Sequence, residues 1–456
     1  MMRPGAFVAL VGLLAGVLLP LAALAALAAP EDDTILISRA SGADGAGAGA
    51  ASGSPAVSKD GRFVVFSSEA RNLSEADSDT TRDIFVRDLR DNRTELASIA
   101  AGKGARGGDG NSAEPSISAD GRFVAFQSKA RGLAGVQDDE IGVDVYVRDR
   151  RLRTTALASR ATGSEGEPAD FDSTSPALSA NGRVVAFESI AENLSAADDA
   201  RYRNIFVRDL RSGATRLVDR ASGSPGKAAN GSAADPSISA DGDRVAFESD
   251  ADNLSRDDRD KVRNIYVRDL GSDRTLLVSR ADGEKGRAAD GASSSAAISA
   301  DGRFVAFVSE ANNLSEQDDD SVRNVYVRDL ENDRTLLANR ANSKNGAGGN
   351  LSSGAPSISD DGRLVAFESL ANDLSDRDDD AGTDRNVFVR DLIQGKTLWI
   401  SRAKGTQSRK GDSHGAAIAG GGSLVAFSSN ATNLSDDDVD PAPDVFALPL
   451  ELPRGD

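Results

Sequence analysis

Short apolar runs punctuated by Gly, Asp and Asn recur along the whole chain, each too brief for a helix and several alternating with the two-residue period of a strand. The Phe that ends each Val-Ala-Phe type run falls at Phe66, Phe126, Phe187, Phe247, Phe307, Phe367 and Phe427, a spacing of 60 or 61 residues throughout. A period of that length, rich in strand signals, predicts one propeller blade per unit. The fifth unit shows the parse: Ala297–Ser299, the turn Ala300-Asp301-Gly302, Arg303–Val308, an acidic loop, Val325–Leu330, the turn Glu331-Asn332-Asp333, and Thr335–Arg340. Asp-Gly between two apolar runs marks a hairpin because both residues tolerate positive φ. The second strand is apolar at every inner position, as expected where neighbouring sheets cover both faces. Its third inner residue is Ala in six units, including Ala125, Ala306 and Ala426, with Val65 the exception, and a small side chain there lets adjacent blades pack closely.

The strand count predicts how the ring closes. Unit seven supplies three strands, Ala416–Ala419, Ser423–Ser428 and Val445–Leu450, while residues 34–40 (TILISRA) match the fourth strands at 275–281 (TLLVSRA) and 397–403 (TLWISRA). The expected fold is all-β: a seven-bladed β-propeller with four antiparallel strands per blade, the N-terminal strand completing the last blade so that no long edge stays unpaired. Residues 32–452 form this single domain, with blade cores near 54–100, 114–161, 175–221, 235–281, 295–341, 355–403, and 415–450 plus 34–40.

Composition narrows the setting. The chain has no Cys, which removes disulfides, Cys–zinc sites and thiol nucleophiles together. Its first 29 residues carry one positive charge, Arg3, an apolar run from Ala6 to Ala29 and the triplets Ala23-Leu24-Ala25 and Ala26-Leu27-Ala28, the pattern of a secretory signal peptide. The run is long enough to span a bilayer, so an uncleaved membrane anchor is the alternative, and Pro20 with the small-residue triplets favours cleavage. A formal charge of −19 argues against nucleic acid and anionic membrane surfaces as partners, because the long-range field repels both.

The segments PSISADGRFVAF (115–126), the Asn-Leu-Ser loops with their aspartates, and VYVRDL followed by T-x-L-V-S-R resemble the repeats of TolB-type, WD-repeat-like β-propellers of bacteria over residues 34 to about 450. The resemblance implies a periplasmic or secreted scaffold that binds a protein partner. The α/β domain that accompanies the propeller in TolB has no room in this chain.

The loop between second and third strands is the most repeated polar feature: NLSEADSDTTRDIFVRDL at 72–89, with near copies at 193–210, 253–270 and 313–330. In this strand order it shares a face with the connections between blades, so the acids crowd one side of the ring. Aligned on the third strand they give Asp77/Asp79/Asp83, Asp138/Glu140/Asp144, Asp258/Asp260/Asn264, Asp318/Asp320/Asn324 and Asp438/Asp440/Asp444, the spacing of the early part of a calcium loop. The middle oxygen ligand of an EF-hand and its bidentate Glu are missing, so the stronger reading is that Asp and Asn cap turns through backbone N–H groups, with Ca2+ the candidate ion. Asn-Leu-Ser spells a glycosylation sequon, but its recurrence is better explained by Asn and Ser bonding the loop backbone over a Leu plug.

Catalytic patterns are weak. His414, the one histidine, follows Asp412 and Ser413 directly, and neighbours on an extended segment point apart, so these three do not build a relay. Trp399 is expected to pack on a blade surface, and Ser116, Ser118, Ser237 and Ser239 to give the central channel a polar wall. The expectation is a monomeric, non-catalytic scaffold binding a protein or glycan through its acidic loop face. The alternative is a hydrolase or lyase acting on a polymer in the funnel, which would need one blade whose acids and Arg turn inward to a pocket.

Overall fold

The computed structural model describes residues 34–451 except 78, 103–104, 136–141, 198–200, 224–225, 259–260, 319–321, 343–345, 376–383, 404–410 and 439. Seven four-stranded antiparallel sheets stand around one axis. In blade 1 the strands run outward in chain order, Ser52–Val57, Phe63–Ser68, Asp83–Asp88 and Arg93–Leu96, and the next five blades repeat this order. Blade 7 consists of Ser413–Ile418, Leu424–Ser429 and Asp444–Pro449, completed on its outer edge by Ile35–Leu36.

Closure works as expected. Ile35 opposes Ala447 and Leu36 opposes Phe446, and the pairing continues as the Ile37 N–H donates to the Val445 carbonyl at 2.8 Å. Leu36 and Ile37, both buried, point to opposite faces of their strand: Leu36 packs with Leu364 and Val387 of blade 6, and Ile37 with Val64 and Phe66 of blade 1. In every blade the second-strand Phe stacks on the aromatic ring opposite it, with centroids 5.8 to 6.0 Å apart. The small Ala beside it, from Ala125 to Ala426, is fully buried against the next blade.

The inner and outer strands differ from the sequence reading. The inner strand of the fifth unit runs over Ser293–Ile298 and carries a bulge between Ser294 and Ala297, where Ser295 adopts φ 54°. Ser54, Glu114, Ser175, Asp235 and Ala355 hold the same left-handed conformation in their blades, and no glycine signals it in those five. The outer strand is only Arg334–Leu337, since beyond it Arg340 N–H turns back to the Ala338 carbonyl. The expected serine wall is also corrected. Ser118 and Ser239 are buried and close the hairpin turns, donating to Asp120 and Asp241, while Ser116 and Ser237 accept the N–H of Leu178 and Ile298 from the next blade.

Two faces result. On one, the Asp-Gly and Asn-Gly turns carry Arg–Asp pairs such as Arg62–Asp88 and Arg183–Asp209, both at 2.6 Å, so charge there is largely self-neutralised. The other carries the long second-to-third strand loops and the connections between blades.

Candidate functional site: the loop face

The Asn-Leu-Ser segment is the fastener of this face. In blade 5 Asn313 donates Nδ2–H to the Ala288 carbonyl at 2.8 Å and accepts the Asp290 N–H, tying its loop to the incoming connection. Asn72, Asn193 and Asn253 repeat the donation to Gly47, Pro168 and Ala228. Leu314 and its six counterparts, from Leu73 to Leu434, are buried beneath, and Ser315 caps the following turn through the Gln317 N–H.

The acids that follow divide into two kinds. In blade 1, one oxygen of each of Asp77, Asp79 and Asp83 lies within 4.8 Å of the other two, and in blade 7 Asp438, Asp440 and Asp444 do the same. Asp83 opens the third strand, fully buried, with Oδ1 accepting the Ser98 hydroxyl; burial pushes its carboxyl up to about 7 against the pull of that hydrogen bond, and Asp77 and Asp79 add to the rise. Asp444 is likewise raised to about 7 by burial, its Oδ1 accepting the Ser38 hydroxyl from the N-terminal strand. In blades 4 and 5 the corresponding Asp258 and Asp318 accept the hydroxyls of Tyr266 and Tyr326, and Asn264 and Asn324 sit where Asp83 does. Asp144 accepts Ser159, as Asp83 accepts Ser98. Asp138, Glu140, Asp260 and Asp320 lie outside the described residues.

A second feature escapes the repeat pattern. Between blades 3 and 4, at the inner end of the loop face, a cleft of about 770 Å³ is lined by Phe171, Ile190, Tyr202, Asp235, Arg203 and Arg263 among others. Phe171 and Ile190 are 54% and 44% exposed. Aligned on the strand ends, the position of Phe171 is Gly in blades 2, 4, 5 and 7, and that of Ile190 is Lys129, Asp250, Glu310 and Asn430 in the same blades; only blade 6, with Leu351 and Leu370, also has an apolar pair. Comparing units position by position could have found this pair. A pattern sought for its recurrence conceals it.

The acids of the cleft serve the fold. Glu188 accepts Thr174, Arg203 and the Asp235 N–H, and Glu248 accepts Arg263 and the Ser295 N–H, so each carboxylate holds the bulge of the following blade. Burial raises the Asp235 and Glu248 carboxyls, and the proximity of acids adds to it: Glu188 acts on Asp235, and Asp235 on Glu248. His414 stands exposed in the inner strand of blade 7, not in a loop, while Asp412 accepts the Arg385 N–H and Ser413 donates to Ser429, both away from a relay. Trp399 is buried in its outer strand, donating to Asn386.

No protein-family model and no curated protein matches the chain. Solved structures resemble it in shape. The β-propeller domain of the trilobed protease from Pyrococcus furiosus, described as having an open velcro topology, aligns with a TM-score of 0.51 and 15% identity over 88% of this chain and 94% of that one. A putative TolB from Agrobacterium tumefaciens gives 0.37 and 16% over 63% and 80%, and an oligogalacturonate lyase in complex with manganese gives 0.49 and 12% over 92% and 98%. At such identities the likeness to the trilobed protease's propeller domain is one of fold alone, and the seven four-stranded sheets make this chain a seven-bladed β-propeller.

Proposed function

We propose that this protein is a non-catalytic scaffold of the bacterial envelope or exterior that docks a protein partner on its loop face, with Phe171 and Ile190 as the apolar anchor. The observation that carries the reading is the pairing of these two exposed side chains at the rim of a cleft where Glu188 and Glu248 are already engaged within the fold. An apolar pair ringed by Arg201, Arg203, Arg263 and Asp250 has the composition of an interface centre with a charged rim. The location rests on the sequence of residues 1–29.

The test is affinity capture from envelope extracts. Phe171→Ser with Ile190→Thr should abolish recovery of the partner, whereas Leu152→Ser and Ile393→Ser should leave it intact. Leu152 and Ile393 are 65% and 58% exposed on the opposite, turn face, and so control for lost surface apolarity. Equal recovery by all baits, or equal loss, refutes the docking surface.

A second reading is favoured by one observation: Asp235, its carboxyl raised by burial, faces the same cleft beside Glu188 and Glu248. A carboxyl shifted toward neutral pH can serve as a general acid on a bound polymer. Polysaccharide cleavage that disappears in Asp235→Asn would select this reading over the first.

A further inference from the structure

In blade 1 three carboxylates converge, and one of their oxygens is buried without a partner among the described residues. Asp77 Oδ1 accepts the Asp79 N–H, Asp79 Oδ1 accepts the Thr81 N–H and hydroxyl, and Asp83 Oδ1 accepts Ser98. Among the described residues Asp83 Oδ2 has no hydrogen-bond partner, and its residue is fully buried. That oxygen lies toward the acidic loop: a Cβ built on Gly107 would stand 4.0 Å from it, and the Gly107 N–H donates to the carbonyl of Ala76, next to Asp77. Nearby Arg71 directs its Nε–H to the Asp79 carbonyl. An orphaned carboxylate oxygen among other acids is costly unless a counter-ion meets it.

The chain contains its own contrast. Where blades 4 and 5 have Asn264 and Asn324, blade 1 has Asp83; where they have Tyr266 and Tyr326, whose hydroxyls meet Asp258 and Asp318, blade 1 has Phe85. Protein donors satisfy the loop aspartate in one kind of blade. In the other, the donor is lost and a further acid is added. Blade 7 repeats the second kind with Asp444 and Phe446, and its Asp438 and Asp440 accept the N–H groups of Asp440 and Ala442 just as Asp77 and Asp79 do two residues on.

We propose that the blade 1 loop binds a hard divalent cation of the calcium class through Asp77, Asp79 and Asp83. Carboxylate oxygens suit such an ion, and backbone carbonyls and water complete its shell.

Calcium chloride titrated calorimetrically into the chelator-stripped chain, up to about 10 mM, tests this, since extracellular modules bind with Kd of roughly 0.1 to 1 mM. The double variant Asp83→Asn with Phe85→Tyr copies blades 4 and 5 into blade 1, and should bind one equivalent fewer while melting in chelator as the parent does. If the graft misfolds, Asp79→Asn is read in its place. No calcium uptake by the parent, or an unchanged number of equivalents in the variants, overturns the proposal.

Discussion

Truncating Leu36 tests whether the N-terminal strand holds the ring shut. Its side chain is 1% exposed and fills the space between blades 6 and 7 against Phe446 and Leu448, where nothing else of the N-terminal strand reaches. Leu36→Ala should therefore cost about 3 kcal/mol, the lost transfer of the buried methyl groups plus the cavity left behind. Ile37→Ala, whose side chain is fully buried on the other face of the strand against Phe66 and Leu424, should cost a similar ~3 kcal/mol. Because the two side chains belong to different clusters, the double variant should lose roughly their sum, about 6 kcal/mol. Ile35→Ala, at a site 37% exposed, should stay within about 0.5 kcal/mol of the parent. Urea titrations followed by near-ultraviolet circular dichroism read all four proteins, and the m-value reports whether the ring still unfolds as one unit. If Leu36→Ala and Ile37→Ala both fall within about 0.5 kcal/mol of the parent, the strand is not part of the packed ring.

Arg328 is 1% exposed and donates to the carbonyls of Ala281 and Gly283 at the exit of the preceding blade, and to Asp333. Arg328→Met should destabilise by roughly 3 kcal/mol and speed hydrogen exchange in the strand before residue 281, since acceptors built around a buried charge lose it. On the turn face, Arg183 holds the Asp209 carboxyl down to about 2. A depressed folded-state pKa contributes stability that is fully present above the ordinary carboxylate pKa of about 4 and is lost as pH falls toward 2. Half of Arg183 is solvent-exposed, so its replacement by Gln should lower the melting temperature only slightly at pH 7, and the difference from the parent should vanish near pH 2 in acid-titrated melts. Asn313→Ala should cost about 1 kcal/mol, with faster proteolysis at the connection around Ala288, because two loop hydrogen bonds depend on that one side chain.

Repetition made the architecture legible. Seven copies of a Phe at near-constant spacing fix the blade count, and the likeness of TILISRA to two internal outer strands placed the closing strand in the last blade, where the structure sets Leu36 opposite Phe446. The bulge in each inner strand was hidden because Ser, Glu, Asp and Ala, residues without a glycine's signal, take the left-handed conformation there. Glu188 and Glu248 support it in blades 4 and 5 from the neighbouring blade, a contact some 47 residues distant in sequence. For the acidic loops, spacing alone treated five units as equivalent. What separates them is the side chain beneath, Phe85 or Tyr266, in a strand whose apolar pattern reads the same either way. Phe171 and Ile190 were missed for the opposite reason, since they depart from the repeat, and departure is where a symmetric scaffold acquires an individual surface.

That individual surface is the centre of the account, and a photoreactive benzoylphenylalanine placed at position 171 probes it most directly, with position 393 on the turn face as control. Irradiation in envelope extract should give a discrete adduct from position 171 and none from 393. Adducts from both positions alike, or from 393 alone, or none from 171, would contradict docking at the cleft between blades 3 and 4.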